Sequence, residues 1–372
     1  MTRGLFLQGF LILAMTINSA AQLYLPKKAY MHLVGRVDTD QEITMNLVKV
    51  NDSIYADLVY TGKQCSFSVL CGKVNDDGTF LMRYPFCDTG KVFRGRFVNR
   101  QSLSGSYESI DGEEKHPFVM VESYPEGSIP LLVYFKEFSH PLVDKPESPQ
   151  AQISQCLIIP GESSNPVLSD SLRILMISSF SGKQDRQKDP DKAIQSIHQT
   201  FLKNYLSSNE SLYESMPDAG SLNWTLLKFM HILYNDNDLL TYYLLNYAYT
   251  GGAHGMETLE FTVVSIKTGE VLTLEDLFKP GFETQLTALL TRKLKVMAGV
   301  SLNEKLSDNG FFVDDVAPNA NFYLTESGIG FVYNHYEIAP YVNGPTDILL
   351  PFEELKKILK EKGPASVFLT WR

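Results

Sequence analysis

The chain is poor in several informative residue types. Among 372 residues it has four cysteines, two tryptophans and seven histidines. Positive charge is also scarce, with 33 Lys and Arg against 43 Asp and Glu and a formal net charge of −10. A dedicated nucleic-acid binder concentrates Lys and Arg, so that class is excluded. Cys65, Cys71, Cys87 and Cys156 do not form two closely spaced pairs, so a structural zinc site is not indicated. There is no His-Glu-x-x-His segment and no Gly-x-Ser-x-Gly elbow, and no two histidines are spaced as a local ligand pair. No apolar run reaches the roughly 20 residues that a membrane-spanning helix needs. No metal, cofactor or catalytic constellation is therefore expected, and a non-enzymatic protein is the leading expectation. A carboxylate pair assembled only by folding would not be visible at this level.

What is present points to a folded, exported protein. The chain is 44% hydrophobic and 12% aromatic, which excludes disorder, and its length suits two or three domains. Arg3 precedes an apolar segment over residues 4–17, interrupted by Gln8, and Ser19, Ala20 and Ala21 follow. This is the pattern of a cleavable signal peptide covering residues 1–21, with no cysteine placed for a lipid anchor. A periplasmic or secreted location is expected, with no transmembrane segment in the mature chain. Removing residues 1–21 takes away one Arg and no acidic residue, so the mature chain carries −11. Disulfides become possible outside the cytoplasm, and four cysteines allow three connectivities. The turn Asn75-Asp76-Asp77-Gly78 would bring Cys65 and Cys87 nearly opposite each other on a hairpin, which makes that pair the disulfide candidate.

From Tyr30 to about Val143, short alternating segments are separated by turns such as Asn51-Asp52, Asp77-Gly78 and Asp111-Gly112. About eight strands fit, with no helical pattern, which predicts an all-β meander or barrel-like domain over residues 22–147. A weak internal echo recurs around Gly35, Gly72, Gly95 and Gly105, where glycine permits the sharp bending of a curled sheet. Pro141, Pro146 and Pro149 mark a linker-like break.

Residues 148–372 read as an α+β domain, an antiparallel sheet with packed helices. Asp189-Pro190 starts a helix carrying Ile194, Ile197, Phe201 and Tyr205 on one face. Strands are expected over 222–234, 239–249 and 257–266, then a helix from Phe282 to Met297 and a strand pair meeting at Glu326-Ser327. A helix over 352–359 and a terminal strand over 366–371 close the chain.

Two loops stand out. Tyr247-Ala248-Tyr249-Thr250-Gly251-Gly252-Ala253-His254-Gly255 packs three glycines between tyrosines and a histidine. It can serve as a rigid aromatic contact surface or as a tight turn in which His254 caps the backbone. Tyr336-Glu337-Ile338-Ala339-Pro340-Tyr341-Val342-Asn343-Gly344-Pro345 is a shaped loop in which Glu337 is a candidate partner for His254 or His335.

Residues 246–255, the segment Lys267-Thr268-Gly269-Glu270-Val271-Leu272-Thr273-Leu274-Glu275-Asp276-Leu277-Phe278, and Tyr336-Glu337-Ile338-Ala339-Pro340-Tyr341 with Gly344 together resemble the RsiV-like extracytoplasmic domain family. That family comprises the ectodomain of a lysozyme-sensing anti-sigma factor and a non-catalytic domain found beside peptidoglycan deacetylases. The resemblance runs from about residue 222 to 359 and extends back toward 148. It implies a receptor-type domain of the bacterial cell envelope, with Tyr249, Gly251, Gly252, His254, Tyr336 and Tyr341 as ligand-binding candidates. The chain has a cleavable signal in place of the sensor's cytoplasmic segment and membrane helix, and no deacetylase domain, so neither activity transfers with the resemblance. The expected function is binding of a lysozyme-like protein or a cell-wall-related ligand. The alternatives are an envelope carbohydrate hydrolase built on His254, or a carrier of a small apolar ligand inside the β-domain.

Overall fold

The computed structural model describes residues 24–38, 41–60, 69–84, 91–161, 165–183 and 186–369. The expected signal segment and the Cys65–Cys87 pair lie outside the described residues.

Eight strands form the first unit: β1 (Lys28–Val37), β2 (Gln41–Val50), β3 (Ser53–Tyr60), β4 (Val69–Val74), β5 (Thr79–Arg83), β6 (Lys91–Asn99), β7 (Ser102–Ser109) and β8 (Lys115–Glu122). Each pairs antiparallel with the next, and β1 pairs with β8, so the sheet closes into a barrel without edges. Period-two alternation sends Leu33, Met45, Leu47, Phe93, Phe97 and Phe118 inward, all of them buried. The interior is a packed core, which leaves the small-ligand carrier reading without support. The glycine echo has a steric cause. Gly95 pairs with Gly105, where a Cβ on Gly105 would stand 2.1 Å from the Arg94 carbonyl oxygen across the ladder. Only glycine allows two strands to approach this closely at a sharp bend.

The chain changes sheets between β8 and β9 (Leu131–Pro141). The proline-rich stretch that reads as a linker is the connection from β9 to β10 (Gln150–Pro160), and the two strands pair antiparallel along their full length. Two helices follow, α1 (Pro166–Ser181) and α2 (Pro190–Ser215), then β11 (Trp224–Asp236), β12 (Leu239–Tyr249) and β13 (Met256–Ser265). The sheet order is β13-β12-β11-β10-β9, and only β10 and β11 run parallel. A parallel pair needs a long crossover, which α1 and α2 supply. The second helix starts at Asp189-Pro190 as expected, and the first, which was not expected, starts the same way: Asn165 and Asp189 cap the helices by accepting backbone N–H bonds, each followed by proline at the first helical position.

A final unit contains α3 (Leu274–Leu277), α4 (Glu283–Met297), β14 (Phe322–Thr325), β15 (Gly328–Tyr333), β16 (Thr346–Leu350) and α5 (Phe352–Leu355). The last three strands form a separate antiparallel sheet, which packs Tyr323, Val332 and Leu349 against Tyr243 and Phe261 of the larger one. Two expectations are corrected here. The expected helix over 352–359 is helical only through Leu355, after which Leu359 bridges to Phe278. The expected terminal strand is a 3-10 helix, Pro364–Leu369, because Pro364 begins it with a fixed φ and Phe368 stacks on Phe352 at 4.9 Å.

Polar groups join the barrel to the large sheet. Tyr30 Oη donates to Asn46 Oδ1 (2.8 Å), Asn46 Nδ2 donates to the Leu233 carbonyl (3.1 Å), and Asn235 Nδ2 donates to Tyr30 Oη (3.0 Å). Nearby, Asp57 accepts from Tyr243 Oη at 3.2 Å and lies 3.6 Å from His231 Nδ1. Burial pushes the Asp57 carboxyl up, while His231 and Tyr243 pull it down.

Candidate functional site

The first loop, residues 250–255, joins β12 to β13, and the second, residues 334–345, joins β15 to β16. Gly251 and Gly252 both have positive φ, which turns the chain sharply after β12. Tyr249 Oη reaches forward to the Gly252 carbonyl at 3.1 Å and braces the turn. Gly255 lies under the Tyr247 ring, where a Cβ would fall 2.4 Å from the ring carbon Cζ.

The second loop is held by buried Ile338 and Ala339 and by a 3-10 turn, Tyr341–Asn343, that starts after Pro340. Tyr336 adopts a left-handed backbone, φ 67°, and its side chain stays largely exposed. Val342 is 89% exposed, so the tip of the loop presents apolar surface to solvent.

These loops meet. Tyr341 stacks against His254, with ring centroids 4.1 Å apart, and against His335 at 4.3 Å. Its hydroxyl donates to the Gly255 carbonyl at 2.9 Å, and His254 Nδ1 lies 2.9 Å from the same oxygen. Tyr336 adds a fourth ring 6.0 Å from Tyr341. Of the sequence candidates, His254, Tyr336 and Tyr341 therefore form one aromatic edge. Tyr249, Gly251 and Gly252 shape the first loop beside it.

Sequence reasoning left three contributors out of the ligand-binding candidates: His335, named only as a candidate partner of Glu337, and Asn334 and Asn321, not named at all. His335 supplies the second stacked imidazole, and its Nε2 stands 3.5 Å from Glu257 Oε1. Asn334 fixes the second loop to β13, where its Oδ1 accepts from Leu259 N (2.8 Å) and its Nδ2 donates to Leu259 O (3.1 Å). Asn321 does the same one pair along, accepting from Phe261 N at 2.8 Å and donating to Leu259 O at 2.9 Å. The expected pairing of Glu337 with a histidine is replaced by a long contact, 3.5 Å, from Asn319 Nδ2. The only sequence hint was proximity, since His335 precedes Tyr336 and Glu257 follows Gly255 by two residues. Among the described residues, no group of three or more His, Cys, Asp or Glu side chains is placed to hold a metal ion.

Two family models match this chain. One is described as deacetylase PdaC and covers residues 162–257, which include the first loop. The other is described as a protein of unknown function, DUF3298, and covers residues 275–353, which include the second loop. A DUF3298-family structure from Bacteroides fragilis NCTC 9343 is 26% identical, with a TM-score of 0.60 over 66% of this chain and 98% of its own. A DUF3298-family protein from Pseudomonas aeruginosa PAO1 is 19% identical, with a TM-score of 0.45 over 62% of this chain and 94% of its own. A comparison with curated proteins found no match.

Proposed function

We propose that this chain is an exported, non-catalytic binding protein that takes a protein or cell-wall-related ligand on the edge where its two loops meet. The observation that carries this reading is the stack of His254, Tyr341 and His335, which joins segments about 80 residues apart into one rigid surface. Tyrosines held in place by stacking and hydrogen bonds lose little freedom on binding, which suits them as anchors. The DUF3298 and PdaC matches cover the two loops and are compatible with the RsiV-like resemblance. A mature charge of −11 would steer a basic protein such as a lysozyme toward the surface.

The hydrolase alternative asks for a carboxylate on His254. Its Nδ1 instead faces the Gly255 carbonyl, and the carboxylate nearest a site histidine is Glu257, on His335. This geometry favours binding over proton transfer.

The test is calorimetric titration of the purified protein with lysozyme and, separately, with soluble peptidoglycan fragments. Saturable binding to one of them is expected, and Tyr341→Ala should weaken it by about tenfold or more, the loss typical of a hot-spot aromatic. A folded protein that binds neither ligand would refute the proposal.

A further inference from the structure

The outer face of the barrel carries a second surface with its own chemistry. β4, β5 and β6 alternate buried side chains, among them Phe80, Met82, Phe93 and Phe97, with outward Lys73, Arg83, Arg94 and Arg96. Register places these four cations on one compact patch. Lys73 and Arg94 both face Leu81 in a single cross-strand row, Arg83 lies opposite Val92, and Arg96 lies opposite Thr79. Side chains two residues apart on one strand are separated by about 6.8 Å, so Arg94 and Arg96 repeat positive charge along the strand at that spacing. All four line a groove of about 750 Å³ floored by backbone at Gly72, Gly95 and Gly105.

The counter-charges are few. Glu108 accepts from Arg94 Nε at 2.7 Å and is also held by Ser106 and Lys115, and Asp52 lies 3.2 Å from Lys73. Arg83 and Arg96 close no ion pair among the described residues, and Asp77 is near enough to Arg96 to feel its charge. On a chain carrying −10, this patch reverses the local sign.

We propose that this groove binds a linear phosphodiester chain lacking nucleobases, of the glycerol-phosphate type. Arginine forks match phosphate oxygens bidentately, and a row of cations fits a ligand that repeats negative charge along its length. Binding of single-stranded nucleic acid relies on exposed aromatic side chains for base stacking. The one aromatic residue in the groove, Phe80, is buried, which favours the base-free chain.

The test uses fluorescence anisotropy of the purified protein with a labelled glycerol-phosphate hexamer across a salt series. The comparison arm is an oligothymidylate of equal charge. Four phosphate contacts predict a slope of log K against log salt of about −2.8, using roughly −0.7 per contact for a single-stranded chain. R83Q/R96Q should weaken binding about tenfold or more and bring the slope to about −1.4. Both side chains are exposed, so its melting temperature should match the parent's. K203E, on exposed Lys203 of α2, should bind like the parent. Failure of the parent to bind the hexamer, or parental affinity in R83Q/R96Q, would overturn the proposal. Oligothymidylate binding about tenfold tighter than the hexamer would overturn the assignment to a base-free chain.

Discussion

Gly255→Ala probes whether the site is held together by close packing. A Cβ at this position would lie 2.3 Å from Tyr247 Oη, 2.4 Å from Cζ and 2.5 Å from Cε2, all well inside contact distance. The rigid ring has to move, and overpacking of this kind costs about 1–3 kcal/mol. The disturbance falls on the residue whose carbonyl accepts the Tyr341 hydroxyl, so it also loosens the join between the loops. For a domain of this size, 1 kcal/mol corresponds to about 2–4 °C, so the melting temperature should fall by about 2–12 °C.

Tyr247→Ala isolates the cause. With the ring removed, the added methyl has room, so Gly255→Ala should cost almost nothing in that background. The coupling between the two substitutions should be about as large as the single Gly255→Ala effect and opposite in sign. Thermal unfolding followed by the fluorescence of Trp224, which packs beside Gly251 of the same loop, reads the relevant unit. Additive losses in the double variant would refute the packing argument, as would an unchanged melting temperature in Gly255→Ala.

Three further outcomes follow from the interior. Asn235 is fully buried and bonds both backbone groups of Ile129 as well as Tyr30 Oη, so Asn235→Ala should cost about 1–3 kcal/mol in denaturant unfolding, and a loss under about 0.5 kcal/mol would count against that network. The Asp57 carboxyl is raised by burial, so its contribution to stability is fully present below about pH 4 and is lost as pH rises through its folded value. Asp57→Asn should therefore gain on the parent between about pH 4 and neutrality, and unfolding curves showing a flat or falling difference would contradict this. Phe93→Ala, at a fully buried barrel position, should cost about 3–5 kcal/mol by equilibrium unfolding, and a loss under about 1 kcal/mol would show that the barrel interior is not close-packed.

Much of the architecture was legible because it repeats. About eight alternating segments separated by turns such as Asp77-Gly78 and Asp111-Gly112 are read directly from residues, and their closure into a barrel is consistent with the inward glycines at 72, 95 and 105. The missed elements each hide their period. β10 is nearly continuous in buried residues from Cys156 to Pro160, because it is an inner strand covered on both faces. α1 is rich in Ser, a residue of modest helix propensity, and owes its helix to the Asn165 cap and to packing of Leu172, Met176 and Phe180. β16 has only five residues, Thr346–Leu350, and pairs at the edge of a three-stranded sheet.

The loop residues were visible as unusual sequence, but their convergence was not, because it depends on how an edge strand is covered. β13 ends the five-stranded sheet, and its free backbone groups must find partners or invite association with other chains. Asn321 and Asn334 answer this need by bonding Leu259 and Phe261 with their side-chain amides, without adding another strand. Those two asparagines flank the β14–β15 hairpin, Asn321 just before β14 and Asn334 just after β15, so covering the edge also docks the three-stranded sheet there. β13 leads directly out of the first loop, and β15 leads directly into the second. Once the amides fix β15 beside β13, Tyr341 is carried to Gly255 and His254. The aromatic edge is thus a consequence of how the fold protects its edge strand, and the residues that assemble it are plain asparagines with no motif around them.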